Sequence, residues 1–105
     1  MDKSIFLQVF GDTPFFKVLD FLIENQGFDY SKTEIAKGAG IGWSTLFKVW
    51  PQLEMANLVK VTREFGNTKL YTLNTDNPIV KELLKLEMIM IEYFADIDTS
   101  THNQG

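Results

Sequence analysis

Residues 31–74 decide the fold, and they read SKTEIAKGAGIGWSTLFKVWPQLEMANLVKVTREFGNTKLYTLN. The first half of this stretch has the pattern of two short helices joined by a tight turn. Ser31 and Glu34 form a capping-box pair, in which each side chain accepts a hydrogen bond from the other residue's backbone amide. Gly40 ends the first helix, and a second helical pattern begins at Trp43. The sequence therefore predicts a helix-turn-helix.

The second helix of this pair contains a proline. Leu46, Trp50 and Leu53 recur at helical spacing and are predicted to be buried. Pro51 removes one backbone hydrogen bond from the helix and its ring collides with the carbonyl of Phe47. We therefore expect either a kink or a break near Trp50.

Residues 58–74 have the alternating pattern of a two-stranded hairpin around Gly66 and Asn67. In an antiparallel hairpin, the numbers of two residues that lie opposite each other have a constant sum. Val61 and Tyr71 lie on the same face only if that sum is even. This condition favours an odd loop length, so a three-residue loop over 66–68 is predicted.

Helices are also predicted on both sides of this stretch. Asp12 or Thr13 can cap a helix that begins at Pro14 and stops by Gly27. The apolar residues between 5 and 10 are too numerous for a free tail, so we expect a short helix packed on something, with another subunit as one candidate. A last helix is predicted over 77–95, followed by a flexible polar tail over 96–105.

The last helix has two apolar rows instead of one. The first has the 4, 3, 4, 3 spacing of a coiled-coil seam and consists of Ile79, Leu83, Leu86, Met90 and Tyr93. The second consists of Val80, Leu84, Met88 and Ile91. A small domain covers one such row with its own core, so the other needs a partner. We predict that the first row forms a homodimer interface.

Composition excludes several function classes. The 105 residues suffice for one domain, and the absence of cysteine excludes disulfides, thiolate zinc sites and cysteine nucleophiles. The only histidine, His102, lies near the end of the chain, so the common hydrolase and metalloenzyme designs lack their imidazoles. No signal peptide and no apolar run of ~20 residues for a membrane span is present. We expect a cytoplasmic protein that is not an enzyme and has no metal and no cofactor.

Charge is distributed unevenly along the chain. The net charge is -4, yet residues 32–69 hold six bases and three acids, a balance of +3. The remaining residues hold four bases and eleven acids, a balance of -7. A relatively positive segment in an acidic chain is what a nucleic-acid-binding face on an acidic body would look like.

Residues 33–74 resemble winged helix-turn-helix transcriptional regulators of the MarR and ArsR type, especially small archaeal ones, and the resemblance extends over roughly 11–87. The sequence departs from the family pattern at Gly42, Trp43 and Pro51. The resemblance implies a mainly α fold with a small β-hairpin (α+β), as one winged-helix domain over 1–95. Its parts are a helix-turn-helix over 31–57, a wing over 58–74 and an added C-terminal dimerisation helix. The matching motifs are Thr33–Ala36, Gly40–Ile41, Ser44–Lys48, Leu53–Glu54 with Leu58–Val59, and Gly66 with Lys69–Asn74.

The resemblance also implies a function. Regulators of this kind bind double-stranded DNA as homodimers, with a recognition helix in the major groove and the wing on the flanking backbone or minor groove. Hydroxyl, lysine and aromatic side chains in the corresponding positions suit phosphates, base edges and thymine methyl groups. The DNA-binding residues predicted on this basis are Lys32, Trp43, Ser44, Thr45, Phe47, Lys48, Arg63, Asn67 and Lys69. No small-molecule effector is evident.

Alternatives remain open at this point. Winged helices also serve as protein-interaction modules, and the net charge of -4 favours that second function. Trp43 and Phe47 are equally compatible with a place in the core or in a dimer interface, and Lys48 with an ordinary solvated lysine.

Overall fold

The computed structural model describes residues 3–104, and for residues 97–104 it describes the backbone alone. Three helices, a hairpin and a final helix follow one another in the predicted order, after a short first helix. The elements are α1 (Ile5–Phe10), α2 (Pro14–Glu24), α3 (Lys32–Ala39), α4 (Trp43–Met55), β1 (Val59–Phe65), β2 (Thr68–Leu73) and α5 (Pro78–Gln104).

The predicted helix caps are present. The hydroxyl of Thr13 accepts a hydrogen bond from an amide in the first turn of α2. Ser31 and Glu34 form both bonds of the capping box at the start of α3. Gly40 follows α3 with a φ of 73°, in the left-handed region that glycine adopts without strain. These local signals fix where α2 and α3 begin and where α3 ends.

Helix α2 ends at Glu24, ahead of the predicted stop at Gly27. Both the backbone and the side-chain amide of Asn25 donate to the carbonyl of Phe21, at 3.1 and 2.8 Å. These two bonds close the last turn of α2, so the left-handed Gly27 lies in the following loop.

Helix α4 is continuous through Pro51, so the proline does not split it. The carbonyl that loses its amide partner belongs to Phe47. Both Phe47 and Pro51 lie on the exposed side of the helix, where water can bind that carbonyl. Leu46, Trp50 and Leu53 are buried on the opposite side, as predicted.

The hairpin differs from the prediction in its loop and in its register. Phe65 pairs with Thr68, so the loop has two residues and not three. Val61 does pair with Tyr71, because a β-bulge at Thr62 supplies the extra residue that we assigned to the loop. Val61 and Tyr71 therefore do lie on the same face, but the extra residue that this needs is in β1 and not in the loop.

The bulge decides which face of the hairpin each outer side chain occupies. Side chains alternate between faces along a strand, so in an unbroken β1 Arg63 would lie on the face of Val61 and Tyr71. With Thr62 as an additional residue, Arg63 lies opposite Leu70 and on the other face. Lys69, two residues from Tyr71, remains on the face of Tyr71.

The core lies where α1, α2, α3, α4, the hairpin and the start of α5 meet. Helix α1 packs against α2 and α5 of its own chain, with Phe6 buried between them, so it does not need another subunit. The hydroxyl of Ser4 caps α1 and donates to a carboxylate oxygen of Asp20 at 2.8 Å. This bond connects the first residues of α1 to α2.

The inward face of α5 combines residues from both predicted rows. Val80 is fully buried, Leu83 and Leu84 are partly buried, and Met90 is only 7% exposed. The assignment of Met90 to a dimer interface is therefore wrong. Successive members of a row spaced 4 and 3 lie ~40 to 60° apart around a helix of 3.6 residues per turn. Leu83 and Met90 therefore face inward, whereas Ile79, Leu86 and Tyr93 lie at the exposed edge.

Helix α5 also continues past residue 95, where we predicted its end, to Gln104. No proline or glycine occurs between Ile79 and Gln104, so the sequence contains no residue that would stop the helix. Residue 105 of the predicted tail lies outside the described residues, as does the side chain of His102.

Candidate nucleic-acid interface

The N-terminal half of α4 exposes a continuous face. Trp43 and Phe47 are 46% and 50% exposed, and their rings meet edge to face with centroids 4.6 Å apart. Ser44 and Lys48 are exposed beside them, and Thr45 is half-buried. The two aromatic residues are therefore surface residues, and the reading of them as core is wrong.

The start of α3, the start of α4 and the tip of the hairpin enclose an open cleft of ≈ 370 Å³. Four of the predicted site residues line it, on three different elements. Lys32 is on α3, Trp43 on α4, and Asn67 and Lys69 are at the tip. The structure thus brings the helix-turn-helix and the wing to one surface.

The ammonium group of Lys32 lies over three aromatic rings. Its Nζ is 5.3 Å from the ring centroid of Trp50 and 5.7 Å from those of Phe47 and Tyr71. Cation–π attraction of this kind holds a lysine in place when it is partly desolvated. Lys32 therefore links α3 to α4 and β2, in addition to lining the cleft. Residue spacing could not show this, because the rings belong to α4 and β2, both distant in sequence from Lys32.

Trp50 has a further unusual feature. Its indole Nε1 is buried and has no hydrogen-bond partner among the residues that the structure describes. Its ring packs edge to face on that of Tyr71, with centroids 4.9 Å apart. Trp50 therefore stabilises the contact between α4 and the hairpin through apolar packing.

Arg63 does not lie with the other predicted site residues. Its guanidinium donates two hydrogen bonds to the carboxylate of Asp29, at 2.9 and 3.0 Å. The hydroxyl of Thr62 donates to the same carboxylate. These hydrogen bonds, that from Arg63 above all, lower the pKa of Asp29 to about 2. Arg63 is thus an ion-paired residue on the far face of the hairpin, placed there by the bulge.

Ion pairs also reduce the positive balance of residues 32–69. Lys60 lies 3.6 Å from the carboxylate of Asp76, and Arg63 is paired with Asp29, so two of the six bases face acids from outside the segment. Among residues 3–96, the remaining four bases form no ion pair, and they are Lys32, Lys37, Lys48 and Lys69. When only these four unpaired bases are counted against the three acids of the segment, its charge balance is +1 and not +3.

A second exposed surface lies on α5. Leu86 and Tyr93 of the predicted interface row are exposed, and Ile79 is exposed at the start of the helix. Ile89 is exposed beside Leu86 and Tyr93, whereas Met88 and Ile91 of the second row are exposed on the other side of the buried face of the helix. An exposed apolar patch of this kind commonly marks an interaction site.

The described part of the chain contains no group of three or more metal-ligating side chains that could hold a metal ion. None of its helices is long and apolar enough to cross a membrane.

No protein-family model matches the chain, and no curated protein matches it at a significant level. Solved structures do resemble it. One is a possible transcriptional regulator from Methanosarcina mazei, at 10% identity with a TM-score of 0.53, covering 86% of this chain and 75% of the other. Another is Sso10a-2, a DNA-binding protein from Sulfolobus solfataricus, at 17% identity and a TM-score of 0.53, covering 83% and 87%.

A third similar structure is BpsR from Bordetella bronchiseptica, whose DNA binding is regulated by 6-hydroxynicotinic acid. It is 21% identical with a TM-score of 0.55, and the match covers 88% of this chain and 66% of BpsR. At these identities the comparison concerns the fold alone. Together with the element order and the two-stranded hairpin, it shows that the chain has a helix-rich winged-helix α+β fold with a C-terminal helix.

Proposed function

We propose that this chain is a sequence-specific, double-stranded DNA-binding transcriptional regulator of the MarR and ArsR type that acts as a homodimer. In this proposal α4 is the recognition helix in the major groove, and the hairpin is the wing on the flanking backbone or minor groove. The observation that carries it is the continuous surface from the exposed face of α4 through the cleft to the tip of the wing. All three similar structures are described as regulators or DNA-binding proteins.

The side chains on α4 suit base recognition. Lys48 is exposed and can donate to the acceptor atoms of guanine, and Ser44 can bond to a base edge or a phosphate. Trp43 and Phe47 offer apolar surface for a thymine methyl group or for the sugar backbone. Thr45 is half-buried and suits a phosphate at the edge of the groove.

The cleft suits the phosphate backbone. Lys32 and Lys69 place two positive charges on opposite walls, and Asn67 adds an amide donor at the tip. Because Lys32 is held by aromatic rings from α4 and β2, its charge is positioned before DNA arrives. Phosphate contacts of this kind set the register and orientation of the protein on the duplex, whereas base contacts from α4 read the sequence.

The exposed row on α5 suits a second copy of this chain. A two-fold dimer uses the same patch on both subunits, which the exposed side chains of Leu86, Ile89 and Tyr93 provide. Ile79 extends the row, and Leu83 is available at its half-buried edge. Such a dimer would place two recognition helices about 34 Å apart, on half-sites one DNA turn apart.

Selection of bound sequences from a random duplex pool tests this function. We expect enrichment of a pseudo-palindrome whose half-sites are ~10 base pairs apart. Lys48→Ala should reduce discrimination at one position by ~1 to 3 kcal/mol. Lys81→Ala is the matched control, since Lys81 is an exposed lysine on α5 outside the proposed DNA surface. Failure to enrich any sequence would contradict the proposed function.

A further inference from the structure

An exposed phenylalanine stands at the tip of the wing. Phe65 is the last residue of β1, directly before the two-residue turn, and is 59% exposed. Hairpin tips are usually occupied by glycine and small polar residues, because these residues suit the turn backbone and contact water. Phe65 therefore keeps an aromatic ring in water at the last paired position before the turn.

The guanidinium of Arg63 packs against the ring of Phe65. The guanidinium of Arg63 lies 5.3 Å from the ring centroid, on the same face of the strand. That guanidinium is fixed by the two hydrogen bonds that it donates to the carboxylate of Asp29, on the loop between α2 and α3. Because Asp29 neutralises Arg63, the arginine adds little attraction for phosphate, and holding the ring is the role left to it.

The tip also adjoins the proposed DNA surface. Phe65 pairs with Thr68, and Thr68 lines the cleft opposite Trp43 at the start of α4. When α4 lies in the major groove, a wing in this position reaches the neighbouring minor groove. The lysine nearest the tip, Lys69, is on the cleft face. On the outer face, Phe65 is nearer the tip than the ion-paired Arg63.

We propose that Phe65 is an apolar wedge that enters the minor groove and partly unstacks a base step, with Asp29 and Arg63 as positioning residues. Proteins that bind the minor groove often insert an apolar side chain between base pairs and kink the duplex. Pyrimidine–purine steps unstack most easily, so the flanking position should prefer TA or CA. This role rests on the proposed DNA binding.

The test uses a duplex carrying the selected site, with 2-aminopurine at the flanking step and a dye at each end. The wild-type protein should raise 2-aminopurine fluorescence and shorten the end-to-end distance. Phe65→Ala should abolish both signals and weaken binding roughly tenfold, whereas Phe65→Leu should retain most of them. Met55→Ala removes a more exposed apolar side chain from the far end of α4 and should behave like the wild type.

A double variant, Asp29→Asn with Arg63→Met, separates the packing of Arg63 on Phe65 from a phosphate contact because its net charge equals that of the wild type. It should lose much of the fluorescence change and keep the salt dependence of binding. A salt slope shallower by about one would instead make Arg63 a phosphate contact and overturn its positioning role. A Phe65→Ala protein with undiminished signals would overturn the wedge while leaving DNA binding intact. Absence of binding by the wild type would overturn the proposed function itself.

Discussion

The side-chain amide of Asn77 donates to the backbone carbonyl of Asn57 at 2.8 Å and to that of Ala56 at 2.9 Å. Its side-chain oxygen accepts from the amide of Ile79 at 2.7 Å. Asn77 therefore binds the end of α4 and caps the start of α5 at once. The side-chain amide of Asn74 donates a second bond to the carbonyl of Asn57, at 3.0 Å. These bonds fix the direction in which the proposed dimerisation helix leaves the proposed recognition helix.

Asn77→Ala should lower the free energy of unfolding by ~1 to 3 kcal/mol, because it removes a helix cap and the hydrogen bond to the carbonyl of Ala56 at the end of α4. Urea denaturation measures the change. Asn67→Ala, at the exposed wing tip, is the control and should stay within ~0.5 kcal/mol of the wild type. Equal stability of both variants would show that the link between α4 and α5 contributes nothing.

Pro51→Ala should raise the free energy of unfolding, since α4 is helical on both sides of the proline. Proline costs about 3 kcal/mol in a helix interior, and part of this gain is offset because alanine leaves the unfolded chain more flexible. We expect an increase of ~1 to 2 kcal/mol in urea denaturation. A decrease in the free energy of unfolding would show that the ring of Pro51 stabilises α4 at this position.

Three carboxyl groups between α2 and α5 should make the protein more stable in mild acid than at neutral pH. Burial raises the pKa of Asp20, Glu24 and Glu87, and repulsion adds to the shift at Glu24 and Glu87. A carboxyl whose pKa is raised by folding contributes stability below its unfolded pKa and loses it as pH rises. Tm should therefore increase as the pH falls from 7 towards the unfolded pKa values of 3.8 and 4.5, and less so in Asp20→Asn. A Tm that does not change over this pH range would contradict the assignment of this effect to the three carboxyl groups.

The opposite sign applies at lower pH. Hydrogen bonds from Arg63 and Thr62 lower the pKa of Asp29 to about 2, so its contribution is present above the unfolded pKa of 3.8 and is lost as pH falls towards 2. Asp29→Asn should show a smaller loss of Tm over that interval than the wild type. If the wild type and Asp29→Asn lose the same amount of Tm over this interval, Asp29 is not the cause of the loss.

Two substitutions on α5 should have different effects. Leu86 is exposed, so Leu86→Glu should dissociate the dimer and leave each subunit folded. Met90 is buried in its own subunit, so Met90→Glu should instead lower Tm. Sedimentation and thermal denaturation distinguish the two effects, with Lys81→Glu as the control. A wild-type protein that sediments as a monomer at micromolar concentration would contradict the dimer.

Local features of this fold could be predicted from sequence, because their causes lie within a few residues. The capping box of Ser31 and Glu34 and the buried row of α4 are examples. The place of Arg63 could not be predicted. It depends on a bulge at Thr62, and Thr62 and Arg63 both bind Asp29, more than thirty residues earlier in the chain.

The candidate site shows the same limit. Exposure of Trp43 and Phe47 followed from helical periodicity, although a core location was equally compatible with it. The enclosure of Lys32 by three rings depends on how α4 and β2 meet, and no local pattern contains that information. Met90 was assigned to the wrong surface because a heptad row identifies apolar positions without saying which neighbour covers each of them.

The salt dependence of binding to the selected duplex tests the central claim most directly. Each phosphate neutralised contributes about -0.9 to the slope of log K against log salt. Within residues 32–69, four lysines per subunit form no ion pair, so a dimer that uses them should give a linear decrease with a slope of about -7 or shallower. Binding that is absent at low salt, or unchanged as salt rises, would contradict DNA recognition by this surface.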